Sequence, residues 1–148
     1  MKNNVIAISR QYGSGGRELA NILAEKLGYK LYDRQIIHMA AAMLGIGDLT
    51  DESLRELENK VLPLSSAFMP FYSFGSHAGP NVNTELFLAE SKVIHQLVND
   101  GPCVILGRCA DYILSEQENH YSFFIYADDD YRASRGKTTY AGKSLKEL

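Results

Sequence analysis

An α/β fold, with a parallel sheet covered by helices on both faces, is predicted by three observations. Short apolar runs of the kind that buried strands need occur at Val5-Ile6-Ala7-Ile8 and at Cys103-Val104-Ile105-Leu106, and residues 121–126 give a third strong strand pattern. Between these runs lie segments whose apolar residues repeat at three- and four-residue intervals, the mark of helices. The first run also passes through a turn holding Gly13, Gly15 and Gly16 straight into such a helix.

That first strand, turn and helix carry the strongest functional signal. Leu19, Ile22, Leu23 and Leu27 form the predicted apolar face of the helix, and Gly28 stops it. A strand running through a glycine turn into a helix start brings backbone N–H groups and the positive end of a helix dipole to one point, which suits a phosphate. The Walker A pattern GxxxxGK[ST] is matched only in part. With Gly15 as its second glycine, Arg10 takes the first glycine's place, Gly16 the lysine's and Arg17 the hydroxyl residue's. In a loop one residue longer, Arg17 takes the lysine position and Glu18 the Ser/Thr position. Gly13, Ser14, Gly15, Gly16, Arg17 and Glu18, with Arg10 across the turn, are therefore the candidate phosphate-binding residues. An arginine grips phosphate oxygens through two parallel hydrogen bonds but is larger and more rigidly directed than lysine.

Length and composition bound what this loop belongs to. The chain of 148 residues fits one domain, long enough to bury roughly 68–70% of its unfolded surface. With 45% hydrophobic and 22% charged residues it has the make-up of an ordinary soluble globular protein. A net charge of −3 gives no electrostatic footprint for a nucleic-acid backbone, so no nucleic-acid partner is expected. Cys103 and Cys109 make neither a disulfide framework nor the paired spacing of a zinc site, and His38, His77, His95 and His120 share no metal-ligand spacing. No resident metal site is expected. No apolar run approaches transmembrane length and Met1-Lys2-Asn3-Asn4 leads directly into the first strand, so no membrane association and a cytoplasmic location are expected.

Beyond Gly28, Tyr29-Lys30-Leu31-Tyr32 is a short second strand and Asp33 falls where a parallel strand hands over to a loop, the end at which α/β proteins place their chemistry. Asp33 is either a functional carboxylate, the N-cap of the next helix, or both. Ile36, Ile37, Ala40, Ala41 and Leu44 give that helix its apolar face, ended by Gly45 and Gly47. A short helix capped by Thr50 runs to Pro63. It is followed by a loop with four aromatics, Phe68, Phe71, Tyr72 and Phe74, which is a lid, a contact surface for another subunit, or satellite core. Asn83 or Thr84 caps a helix whose face is Leu86, Ala89, Glu90, Val93, Ile94, Leu97 and Val98. The strand of residues 103–106 ends at Gly107-Arg108, where Arg108 either points a cation at the cleft of the glycine loop or packs its stem on the sheet.

Ala110 to Leu114 is a short helix, residues 121–126 are a third strong strand, and Arg132 and Arg135 follow three residues apart on one face of a helix. These two either reach over bound phosphates or form a solvated basic face. Gly136-Lys137-Thr138 and Gly142-Lys143-Ser144 match the end of Walker A, but Tyr131 and Lys137 stand where its first glycine belongs. Both rank below the N-terminal loop.

The segments ISRQYGSGGRELA, KLGYKLYDRQII, VILGRCADYIL and FFIYADDDYRASR, in this order, resemble the cytidylate kinase-like family, relatives of bacterial cytidylate kinase among the P-loop nucleoside monophosphate kinases. The resemblance implies a three-layer P-loop NTPase fold in one domain. Its core is 1–48 and 84–127, its acceptor-side insertion 49–83, and its partial, arginine-bearing lid 128–148. It implies five parallel strands with the glycine-loop strand central; the last strand and helix are missing from this sequence, so residues 121–126 are expected at a sheet edge. The implied reaction moves the terminal phosphoryl of ATP, with Mg2+, to a nucleoside monophosphate or similar small acceptor. Arg17 would bind the donor, Arg108, Arg132 and Arg135 would clamp the phosphates in flight, and Asp33 would orient the acceptor or a magnesium-bound water. The sequence departs from cytidylate kinases in lacking the loop lysine, in reading Gly107-Arg108-Cys109 for GRD, and in placing Met39 where an arginine is expected. These departures keep open two alternatives, a nucleotide-binding regulatory module without turnover and an anion-binding interaction protein that uses the aromatic loop. The oligomeric state has no signature in the sequence.

Overall fold

The computed structural model describes residues 4–45 and 82–139. Four strands, β1 (Val5–Arg10), β2 (Lys30–Tyr32), β3 (Cys103–Leu106) and β4 (His120–Ile125), form one sheet in the order β2-β3-β1-β4. All pairings are parallel, with Val5 opposite both Cys103 and His120, and Lys30 also opposite Cys103. The helices are α1 (Gly16–Leu27), α2 (Gln35–Met43), α3 (Val82–Asp100), α4 (Ala110–Ile113) and α5 (Asp129–Thr139). The predicted α/β architecture with its all-parallel sheet is present. The resemblance implied five strands; the described residues hold four, with β1 inside the sheet.

The chain divides into two compact units, one of Met1–Asp33 with Ile94–Leu148 and the other of Arg34–Val93. In the first, the apolar runs do what their composition demands. Val5, Ala7, Ile8 and all of Cys103–Leu106 are buried, and Ile6, Ile8, Val104 and Leu106 form a cluster with Ala20 and Ala24 of α1. Leu23, Tyr29, Leu31 and Ile125 pack around it.

The expected face of α1 is corrected. Leu19, Ile22 and Leu27 are exposed, and α1 instead buries Gly16, Ala20 and Ala24. Small residues let the helix lie close to the sheet, so the larger apolar side chains flank the contact rather than fill it. β4 is an exposed edge strand, as expected. Tyr121, Phe123 and Phe124 are more than half exposed at 52%, 52% and 60%, while β1 and β3 at the centre of the sheet are buried.

Helix α1 ends as its sequence foretells. Gly28 takes a left-handed conformation with φ 67°, its N–H donates to the Glu25 carbonyl at 3.2 Å, and the Tyr29 N–H donates to the Ala24 carbonyl at 2.9 Å. This pair of bonds closes the last turn and delivers the chain into β2.

In the second unit, α2 buries Ile36, Ile37, Ala40 and Ala41, and Leu86, Ala89, Glu90 and Val93 of α3 are buried. α3 begins at Val82, one or two residues before the expected caps. The expected helix from Thr50 and the aromatic loop 68–74 lie outside the described residues.

Candidate functional site

Parallel strands deliver their C-terminal ends to one edge of the sheet, and the loop after β1 leaves from that edge. The Gln11 N–H donates to the Ile125 carbonyl at 2.9 Å and the Gly107 N–H to the Ile8 carbonyl at 2.9 Å, so the strand ladders extend into the loops after β1 and β3. The turn then closes on itself. Both the Ser14 N–H and the Ser14 hydroxyl donate to the Gln11 carbonyl, at 3.2 and 2.7 Å. Gly13 and Gly15 have φ of 77° and 85°, the left-handed region that glycine enters without cost. Gly15 caps α1, whose first bond runs from the Leu19 N–H to the Gly15 carbonyl at 3.0 Å. The amides ahead of that bond belong to the helix's open, electropositive end.

Arg10 lies over this turn. A Cβ added to Gly16 would come 2.6 Å from the Arg10 Cβ, and one on Gly107 would collide with the Arg10 guanidinium. The glycines at 16 and 107 are thus the room in which Arg10 runs from the end of β1 to the end of β3. There Gly107, Arg108 and Cys109 follow one another with φ of 74°, 60° and 52°. Such conformations cost non-glycine residues on the order of 1–3 kcal/mol each and persist where surrounding structure imposes them. Arg108 is therefore placed at the end of β3, beside the glycine that Arg10 covers.

The remaining candidates meet in ion pairs. The Arg17 Nε donates to the Asp33 Oδ2 at 3.1 Å, and its Nη2 reaches the same oxygen. Asp33 does not cap α2, which begins at Gln35 with Arg34 as N-cap and no side-chain capping bond; its carboxylate is turned to Arg17 instead. The Arg135 Nη2 donates to the Glu18 Oε1 at 2.5 Å, and the Arg135 guanidinium lies 5.7 Å from the centre of the Tyr131 ring. The Arg132 Nε donates to the Tyr12 carbonyl at 2.9 Å, and its Nη1 to the Asp129 carboxylate at 2.8 Å. The structure thus brings Arg17 to Asp33, Arg135 to Glu18 and Arg132 to the loop backbone.

Two participants were missed in the sequence. The Gln11 Oε1 accepts from the Ala127 N–H at 3.2 Å, and Tyr12 contributes through its carbonyl. Gly136-Lys137-Thr138 lies within α5 and forms no loop. Among the described residues no group of three His, Cys, Asp or Glu is placed to hold a metal ion, and no helix is long and apolar enough to cross a membrane.

A parallel sheet flanked by helices, with a glycine loop between the first strand and first helix, is the architecture of P-loop kinases. The chain belongs to the cytidylate kinase-like family, whose model matches residues 5–147. Among solved structures it is similar to an uncharacterized protein from Eubacterium ventriosum ATCC 27560, with 23% identity and a TM-score of 0.63. That match covers 98% of this chain, which spans only 66% of the other's length. It is also similar in fold to a gluconokinase from Sinorhizobium meliloti 1021, with 14% identity, a TM-score of 0.53, and 99% of this chain and 75% of the other covered. No curated protein matches the chain.

Proposed function

We propose that this chain is a nucleotide-binding phosphotransferase of the cytoplasm that moves the terminal phosphoryl of ATP to a nucleoside monophosphate or similar small acceptor. The observation that carries this reading is the glycine turn opening α1, with Arg17 and Asp33 joined at its side. Phosphoryl transfer needs positioning and charge stabilisation more than covalent chemistry, so no nucleophilic side chain is required. The acceptor oxygen forms its bond to the terminal phosphorus as the bond from that phosphorus to the bridging oxygen breaks, and ADP leaves. Arg17 and the loop amides hold the donor phosphates. Arg135 exchanges the Glu18 carboxylate for a phosphate oxygen, and Arg108 adds charge from the end of β3. Asp33 would orient the acceptor or, were magnesium bound with the triphosphate, a water on that ion. Magnesium arriving with the triphosphate would be held mainly by the substrate phosphates, with Asp33 as the one carboxylate at hand to help hold it.

Thermal unfolding with ATP, CMP and sulfate tests this directly, because a ligand that binds the native state raises its stability by mass action. ATP with magnesium is expected to stabilise the protein more than sulfate does at equal concentration. No shift with any nucleotide would sink the reading. The pairing of Arg17 with Asp33 favours a second one, a module that binds nucleotide without turnover because the cation in the lysine's place is already neutralised. Magnesium-dependent loss of ATP with one acceptor from a monophosphate panel separates the two.

A further inference from the structure

Arg132 is turned to the protein's own backbone. Its side chain is only 16% exposed, and its planar fork bonds at once to the Tyr12 carbonyl and to Asp129 at the start of α5. The approach is close: a Cβ on Gly13 would lie 2.7 Å from the Arg132 carbonyl oxygen and 3.1 Å from its Cα. Beside it, the Arg132 N–H donates to the Asp128 carbonyl at 3.0 Å and Gln11 accepts from Ala127, so the chain leading into α5 is fixed to the loop at a second point. A trans peptide is planar, with its C=O and N–H pointing in opposite directions. Holding the Tyr12 carbonyl towards α5 therefore turns the Gly13 N–H away from α5.

We propose that Arg132 is a positioning residue of the glycine loop: by pinning the Tyr12 carbonyl it fixes the Tyr12–Gly13 peptide, and so presets the direction of the loop's first glycine amide before any ligand arrives. Its value for ligand binding rests on the reading of the loop as a phosphate cradle. A loop already in its bound shape loses less entropy on binding, and preset amides need no reorganisation as charge develops. Lysine cannot replace arginine here, because one ammonium on a flexible stem does not span a carbonyl and a carboxylate in the fixed geometry of the fork.

The test is 15N relaxation of the full chain together with ATP affinity, for Arg132→Ala and Arg132→Lys. Order parameters of the Gly13 and Gly15 amides are expected to fall below about 0.6 in both variants while α1 stays near about 0.85, as in rigid backbone. ATP affinity is expected to fall about tenfold in both. Should Arg132→Ala fail to fold, Arg132→Lys, which keeps the charge and most of the stem, carries the test alone. Unchanged loop order parameters, or wild-type ATP affinity in Arg132→Lys, would overturn the assignment. A loop that loosens in the variants of a protein whose wild type binds neither ATP nor sulfate would uphold the positioning role and overturn the phosphate-cradle reading.

Discussion

Arg17, at the start of α1, donates from its Nε to the Asp33 carboxylate at the end of β2 at 3.1 Å, so the candidate donor cation and the candidate acceptor carboxylate are one ion pair. The side chains of Arg17 and Asp33 are 43% and 16% exposed, and a pair that water reaches from the arginine side contributes on the order of 1 kcal/mol to stability. Asp33→Asn is therefore expected to unfold within a few degrees of the wild type. Its ATP binding should be equal or stronger, because Arg17 loses a competing anion, while phosphoryl transfer falls at least about tenfold if Asp33 orients the acceptor. Thermal shift with ATP and a turnover assay measure the two effects separately. Loss of ATP stabilisation in Asp33→Asn would count against the roles assigned to both residues.

Arg135 and Glu18 present the same competition from the other side of the loop. Glu18 Oε2 is buried with no hydrogen-bond partner, while Oε1 takes the Arg135 Nη2. Glu18→Gln removes the charge that offsets Arg135 and keeps the side chain's size. Sulfate should then stabilise the variant more than the wild type, with an apparent affinity roughly two- to fivefold higher, the scale of one partly exposed ion pair. Equal sulfate titrations in the two proteins would show that Arg135 does not face the anion.

The glycine at 16 serves packing rather than backbone freedom, since it is helical and has no positive φ. An alanine there would set its Cβ 2.6 Å from the Arg10 Cβ and 3.4 Å from the Ile125 Cβ. Gly16→Ala is expected to destabilise by about 1–3 kcal/mol, the usual cost of overpacking. Arg10→Gly in the same chain removes the nearest obstacle and should recover part of that loss, giving a coupling of at least about 0.5 kcal/mol in a double-mutant cycle. Additive effects would mean that Arg10 does not lie over Gly16 in solution.

How much of this was legible in the sequence depends on which atoms carry each contact. β1 and β3 were plain, because Val5, Ile8, Val104 and Leu106 are large apolar side chains and their burial follows from their composition. The face of α1 was misplaced because hydrophobic periodicity weights leucine and isoleucine, whereas the contact is made by Gly16, Ala20 and Ala24, whose contribution is their smallness. The edge position of β4 came from the resemblance rather than from its composition, since a run of aromatics by itself carries no sign of lying at an edge. In the site, the glycines and arginines were found from the turn and the charge pattern. Their pairing was not, since Arg17 follows β1 and Asp33 follows β2, and those two strands are related only by the way each pairs with β3. Gln11 and Tyr12 left no trace at all: Tyr12 acts through a carbonyl, which every residue possesses, and the Gln11 amide is met by a backbone N–H 116 residues away.

The two cysteines should respond to alkylation in opposite ways. Burial pushes the Cys103 thiol up to about 11, which leaves almost no thiolate at neutral pH, while Cys109 is only partly buried. Iodoacetamide reacts with thiolate, so native protein at pH 8 is expected to be modified at Cys109 and spared at Cys103, with both modified in urea. Mass spectrometry of the peptides decides it. Rapid native labelling of Cys103 would mean that the centre of the sheet opens far more readily than its packing allows.

His120 ties stability to pH. It begins β4, its Nε2 is buried without a hydrogen-bond partner, and desolvation lowers its pKa from the ordinary 6.5, opposed in part by the charge of Asp111. The folded state thus holds His120 neutral at pH values where the unfolded chain takes up a proton. In that window the unfolded state binds more protons, so stability rises with pH. The His120 contribution is complete above the unfolded value of 6.5 and is lost as pH falls through the lower folded value. Urea unfolding midpoints for the wild type should therefore drop between pH 7.5 and pH 5.5, and the drop should be shallower in His120→Gln, which does not titrate. Asp111→Asn, which removes the charge that favours the imidazolium, should make the drop steeper. Parallel pH profiles in the wild type and His120→Gln would place the titrating group elsewhere.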